Sequence, residues 1–151
     1  MLIIRNEKNT TKSFDLKQKD SIFFIDCENC CFIIPNKINK ISISNCHDMK
    51  FNINNAISSM EIVKSSKLNI LIYGNLMTTQ LDSVNNSEIH YYYSNGFVIS
   101  SGTDSVLITT PNKNLVLPYH MFLQQYITNL ETWATKRREE CIDQEGYLLL
   151  D

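Results

Sequence analysis

Two stretches of the chain, ISISNCHDMKFNI (41–53) and MEIVKSSKLNILI (60–72), place their apolar residues identically. In each, two alternating apolar residues precede a polar corner, and three more alternating ones follow it. Laying Met49 on Leu68 aligns the pattern at an interval of 19 residues. The echo extends both ways, through FFIDCENCCFIIP upstream and through TQLDSVNNSEIHYYY and VISSGTDSVLITT downstream. Along the column Cys31, Met49, Leu68, Ser87, Val106 the steps are 18, 19, 19 and 19. A fixed interval of this size marks a unit that can bury its apolar face only by stacking on copies of itself.

Within each copy the period is two, so Phe51 and Ile53 point one way while Asn52 and Asn54 point the other. Short strands separated by polar corners predict a chain that winds once per repeat. Each residue then lies beside its counterpart in parallel register, about 4.8 Å away. The expected interior columns are Ile33-Phe51-Ile70-Ile89-Ile108 and Ile25-Ile43-Ile62-Leu81-Val98. The predicted fold is all-β: a right-handed parallel β-helix of about six coils, occupying residues 1–117 of a single domain spanning 1–151. A β-sandwich of short strands accounts for the alternation but not for the interval.

The ends read differently. Residues 1–20 are expected to form an imperfect first coil with Phe14 and Leu16 facing inward. After Pro118, the spacing of Phe122, Tyr126, Leu130 and Trp133 predicts an amphipathic helix over 118–138, with Lys136, Arg137 and Arg138 near its C-terminus. Gly146 leads into a terminal apolar strand, Tyr147, Leu148, Leu149 and Leu150. That strand is expected to pack back on the coils or to add to a second copy of the chain.

Composition narrows the function classes. With 43% apolar and 20% charged residues the chain reads as a soluble globular protein, and a net charge of −2 gives no electrostatic case for nucleic acid. The start has no apolar core of signal-peptide length and no run of 18 apolar residues occurs, so a cytoplasmic protein without membrane contact is expected. Five cysteines, three of them in CENCC (27–31), do not suggest a disulfide framework.

Reactive side chains scatter along the expected coils. Asp26 and Asp82 are expected in one column but three coils apart, and Asp48 stacks with Lys67 and Asn86, so no carboxylate pair can divide acid and base duties. Cys27, Cys30, Cys46 and His47 lack the second paired spacing of a zinc site; Cys31 is expected inside and Cys27 beside Asn45. His47, His90 and His120 are expected far apart, as corner or surface residues. In the run Tyr91–Tyr93 only Tyr92 is expected outside. No catalytic residue, metal or cofactor is therefore expected.

With its coils placed, the chain resembles the C-terminal domain of the cyclase-associated proteins, which regulate actin. The residues that carry the likeness are KINKISISNC (37–46), with Ile41 and Ile43 before the Asn45-Cys46 corner, and SSMEIVKSSKLNILIYG (58–74). DLKQ (15–18) upstream, and TTP closing a coil before LVLP downstream, occupy similar places, so the likeness spans roughly residues 3–122. It implies a right-handed β-helix that forms a homodimer by exchange of a C-terminal strand, here Tyr147–Leu150. It also implies binding of monomeric actin, preferably with ADP, followed by nucleotide exchange or sequestration, and no enzymatic activity. The family's N-terminal helical domain, proline-rich linker and short actin-binding motif have no counterpart, so the chain looks like a solenoid-only form known from some protists. The expected helix over 118–138 falls where the family has a compact hairpin. An alternative is the related tubulin-folding cofactor C type, which regulates a small GTPase through an inserted arginine. No arginine occurs between Arg5 and Arg137. From alternation alone, the outward residues of the middle coils form the expected actin-binding face: Lys50, Asn52, Asn54, Lys67, Asn69, His90 and Tyr92.

Overall fold

A computed structural model describes residues 1–117 and 125–137. Six coils each contribute one strand to each of two sheets. They are β1 (Leu2–Arg5) and β2 (Thr11–Ser13), β3 (Ser21–Ile25) and β4 (Cys31–Ile34), and β5 (Ile38–Ser44) and β6 (His47–Ile53). The remaining coils are β7 (Ile57–Val63) and β8 (Ser66–Ile72), β9 (Leu76–Asp82) and β10 (Asn85–Tyr91), and β11 (Phe97–Ser101) and β12 (Asp104–Thr109). The first sheet runs β1-β3-β5-β7-β9-β11, the second β2-β4-β6-β8-β10-β12, and every pairing among these strands is parallel. The stack of like on like is therefore real: Phe51 lies beside Ile70, Ile70 beside Ile89, and Ile89 beside Ile108.

The second coil sits one residue away from its expected register. Phe32, not Ile33, lies beside Phe51, and Phe24, not Ile25, beside Ile43. Cys31 pairs with Lys50 on the outside, leaving Cys30 buried in the column of Met49. The runs FFI and CCFII are apolar on both faces, so alternation could not fix their phase, and a slip of one residue exchanges inside for outside. The aromatic rings decide it: Phe24 and Phe32 stack at 4.9 Å between centroids, with Phe14 and Phe51 packed edge-on at 5.3 and 5.1 Å. At the other end of the column Leu81 lies beside Ser100, while Val98 lies beside Thr79. The same slip separates Asp26 from Asp82. Asp26 stacks with Asn45, whose amide donates to it at 2.7 Å, and Asp82 pairs with Val63. Phe14 and Leu16 are buried in the first coil as expected.

Each passage from the first sheet to the second turns on two residues with positive φ, three apart. One ladder of corners is Asn6, Asp26, Asn45, Lys64, Ser83 and Gly102, the other Asn9, Asn29, Asp48, Lys67, Asn86 and Ser105, with φ between 49° and 58°. Short polar side chains tolerate this left-handed conformation best, which is why the corners read as polar in the sequence. A left-handed residue breaks the ladder and leaves the next amide facing the interior. Small side chains of the coil above accept it: Cys46 N–H donates to Ser65 Oγ at 3.1 Å, Leu68 N–H to Ser87 Oγ at 3.1 Å, and Val84 N–H to Thr103 Oγ1 at 3.3 Å. Lower down the same column holds thiols, which donate instead: Cys46 Sγ to the Ser44 and Phe24 carbonyls at 3.4 and 3.7 Å, and Cys27 Sγ to the Ile25 and Ile4 carbonyls at 3.5 and 3.8 Å. Cys27 thus sits in the column of Cys46, not beside Asn45.

At the C-terminal end the stack changes direction. Strand β13 (Asn114–Leu117) runs antiparallel to β12, β14 (Tyr126–Asn129) antiparallel to β11, and β15 (Thr135–Arg137) antiparallel to β14. The expected helix is therefore corrected: no helix occurs among the described residues, and Tyr126 and Leu130 belong to a strand and its turn. Ile127, Thr128 and Thr135 favour extended backbone. Asn129 Oδ1 closes the turn by accepting from Glu131 and Thr132 amides at 2.9 and 3.2 Å. The spacing that suggested a helix face instead buries Ile127 and Leu130 over the last coil. His120, Phe122 and the terminal residues Tyr147–Leu150 lie outside the described residues.

Candidate functional site

The outer face of the second sheet collects the residues that alternation pointed outward. One column runs Thr11, Cys31, Lys50, Asn69, Glu88, Leu107, and the next Ser13, Ile33, Asn52, Leu71, His90, Thr109. Beyond the named strands the ladder continues, with Asn54, Tyr73 and Tyr92 amides donating to Ile34, Ile53 and Ile72 carbonyls at 3.0, 2.9 and 2.9 Å. The left-handed residues Asp48, Lys67, Asn86 and Ser105 bound the opposite flank. All seven residues expected at a contact surface, namely Lys50, Asn52, Asn54, Lys67, Asn69, His90 and Tyr92, therefore share one face across three adjacent coils.

The face is mixed in character. Lys50 and Lys67 are exposed and border a shallow, mostly polar depression of about 500 Å³ together with Asn29, Asp48 and Asn69. Neither lysine makes an ion pair within the described residues; Lys40 pairs with Glu61 on the outer face of the first sheet, and His90 Nε2 lies 3.7 Å from Glu88 Oε2. A second depression of about 520 Å³, lined by Asn86, Leu107 and Val116 among others, is largely apolar. The side-chain oxygens of Asn52 and Asn69 are covered and have no hydrogen-bond partner among the described residues. His90 Nδ1 meets Thr109 Oγ1 at 2.7 Å, and at the corner His47 Nδ1 meets Ser66 Oγ at 2.7 Å and its Nε2 meets Asn45 Oδ1 at 3.1 Å. Each imidazole ties one coil to the next.

Sequence reasoning missed part of this surface. Tyr73 is 49% exposed in the column of Tyr92, itself 60% exposed, and Leu71 lies beside Tyr73 on the neighbouring column, paired with His90. Tyr93, expected inside, is instead exposed and packs edge-on against Tyr92 at 5.2 Å, because the chain leaves the strand after Tyr91. The signal for Tyr73 was present, since it stands 19 residues before Tyr92. Among the described residues the cysteines are inward packing residues apart from half-buried Cys31; burial pushes the Cys46 thiol up to about 12 and raises Cys27 in the same direction. No helix of the described residues is long and apolar enough to cross a membrane.

This architecture defines a parallel β-solenoid of about six turns whose polar chemistry lies on flat outer faces. Within that class, the chain belongs to the family described as adenylate cyclase associated (CAP) C terminal, whose model matches residues 2–132. It is similar to the adenylyl cyclase-associated protein of Schizosaccharomyces pombe, 25% identical over 112 residues, which are 73% of this chain and 20% of that protein. The chain thus spans about a fifth of the curated relative it matches. Among solved structures it is similar in fold to the cyclase-associated protein from Cryptosporidium parvum, with a TM-score of 0.74, 24% identity, and coverage of 89% of this chain and 87% of that one.

Proposed function

We propose that this chain is a cytoplasmic regulator of actin turnover that binds the actin monomer through the outer face of the second sheet. Membership of the CAP family supports the partner. The observation that carries the surface is the gathering of Lys50, Asn52, Asn54, Lys67, Asn69, His90 and Tyr92 on one flat face. Such a protein works as a binder: by holding the ADP form of actin more tightly than the ATP form it favours nucleotide release or withholds monomers, and only differential affinity can shift that balance. Dimerisation through residues 147–150 completes the proposal.

The test is stoichiometric. Titrating the chain into monomeric actin loaded with a fluorescent nucleotide should change the release rate, with saturation near one equivalent per site at micromolar concentrations or below. An assembly time course in ATP then separates exchange, which sustains polymerisation, from sequestration, which lowers the plateau. Unchanged release and unchanged assembly at tenfold excess refute the reading.

A further inference from the structure

Resting on the actin reading, we infer that the second-sheet face is a two-part docking surface: Lys50 and Lys67 steer in an acidic segment of the actin monomer, and a separate apolar anchor site, Leu71, Tyr73 and Tyr92, holds it. The division follows from the columns. Lys50 and Lys67 stand on adjacent coils at the left-handed flank, beside the same depression, with no carboxylate within ion-pairing distance among the described residues. Asp48 cancels part of this charge, and Glu88 lies one coil beyond Asn69, so the cationic patch is small and sharply bounded. Two exposed, unpaired ammonium groups on one rim are complementary to carboxylates, and rim charges act chiefly on the rate of encounter.

Across the same strands the surface changes character. Tyr73 and Tyr92 stack rung over rung at the opposite flank, and Leu71, Tyr73, His90 and Tyr92 line a small, mainly apolar cleft of about 130 Å³. Tyrosines that present an apolar body and a polar tip, in a cleft from which a partner can displace water, make anchors that act on the rate of escape. The two parts therefore separate kinetically, which a uniformly sticky face would not do.

The experiment measures association and dissociation rates of actin monomer with the whole chain and three double variants, each checked for an unchanged circular dichroism spectrum. Lys50→Glu with Lys67→Glu should slow association tenfold or more at low salt, flatten its salt dependence, and leave dissociation within about threefold. Tyr73→Ala with Tyr92→Ala should speed dissociation tenfold or more while association stays within about threefold. Lys17→Glu with Lys19→Glu, an equal change in net charge on the first-coil loop, should move association by less than about threefold. If the control slows association as much as the first variant, or if both face variants leave both rates unchanged, the two-part face is wrong although actin binding stands. Displacement of actin by pyrophosphate, beyond what chloride achieves at equal ionic strength, would assign the lysines to a phosphate and also overturn it. A wild-type chain that binds no actin refutes the actin reading itself, and with it the occupant named here.

Discussion

Replacing Ser65 by alanine tests the rule that the coil above satisfies the amides freed at each corner. Ser65 is buried, and its hydroxyl accepts from Cys46 N–H at 3.1 Å while donating to Val63 O at 2.9 Å. Val63 O also accepts from Asn45 N–H at 3.1 Å, so it keeps a partner when the hydroxyl is lost. The cost falls on the Cys46 amide, left buried without an acceptor, and such groups cost about 1–3 kcal/mol. For a chain of this size that lowers the melting temperature by roughly 2–12 °C. Cysteine supplies a weak acceptor where alanine supplies none, and the same column already accommodates buried thiols at Cys27 and Cys46. Ser65→Cys should therefore recover about half of the loss. Urea unfolding followed by far-ultraviolet circular dichroism and by the fluorescence of Trp133, the sole tryptophan, reports both the cost and its cooperativity. Ser65→Ala within about 0.3 kcal/mol of wild type, or Ser65→Cys no better than alanine, would refute the rule.

Further outcomes follow from single residues. Phe51→Ala removes one end of the aromatic cluster, where the side chain is wholly buried, and should cost about 3–5 kcal/mol in the same unfolding assay. Ser100→Ala removes a buried hydroxyl with no partner among the described residues and should raise stability by on the order of 1 kcal/mol, read as a higher urea midpoint. Cys46 is held protonated by burial, with its value moved from the usual 9.0 to about 12. The unfolded chain then loses that proton first, and stability should decline as pH rises from about 9 toward 12, with the Cys27 thiol and the Tyr91 phenol, both also raised by burial, adding to the fall. Thiol-alkylation kinetics check the same point: Cys31 should react in the folded protein, and Cys27 and Cys46 only on unfolding.

Legibility in the sequence tracked how sharply each segment separates its two faces. Between Ile38 and Tyr91 apolar and polar residues alternate cleanly, so the columns through Phe51, Ile70 and Ile89 could be read directly, as could the outward placement of Lys50, Asn69 and His90. Around Phe23–Ile34 both faces are apolar, and the phase was set by how Phe14, Phe24, Phe32 and Phe51 fit together, which no periodicity encodes. The C-terminal segment misled for the converse reason. Ile127 and Leu130 satisfy a helical spacing, but a sheet edge left open by β11 offered them more than a lone helix could. Tyr73 was missed because it stands just past the end of its strand, where only the 19-residue interval to Tyr92 marks it.

The left-handed corners have a consequence for how such a chain can change. Both kinks recur after 20 residues in the first winding and after 19 in every later one, so each winding is a module of nearly fixed length. Adding or removing a single residue within a strand would turn over the side chains that follow it up to the next corner, whereas adding a whole winding would disturb nothing but the height of the stack. The binding face is thus graduated like a measuring rod, one mark per winding, and its reach is set by counting windings rather than by reshaping any of them.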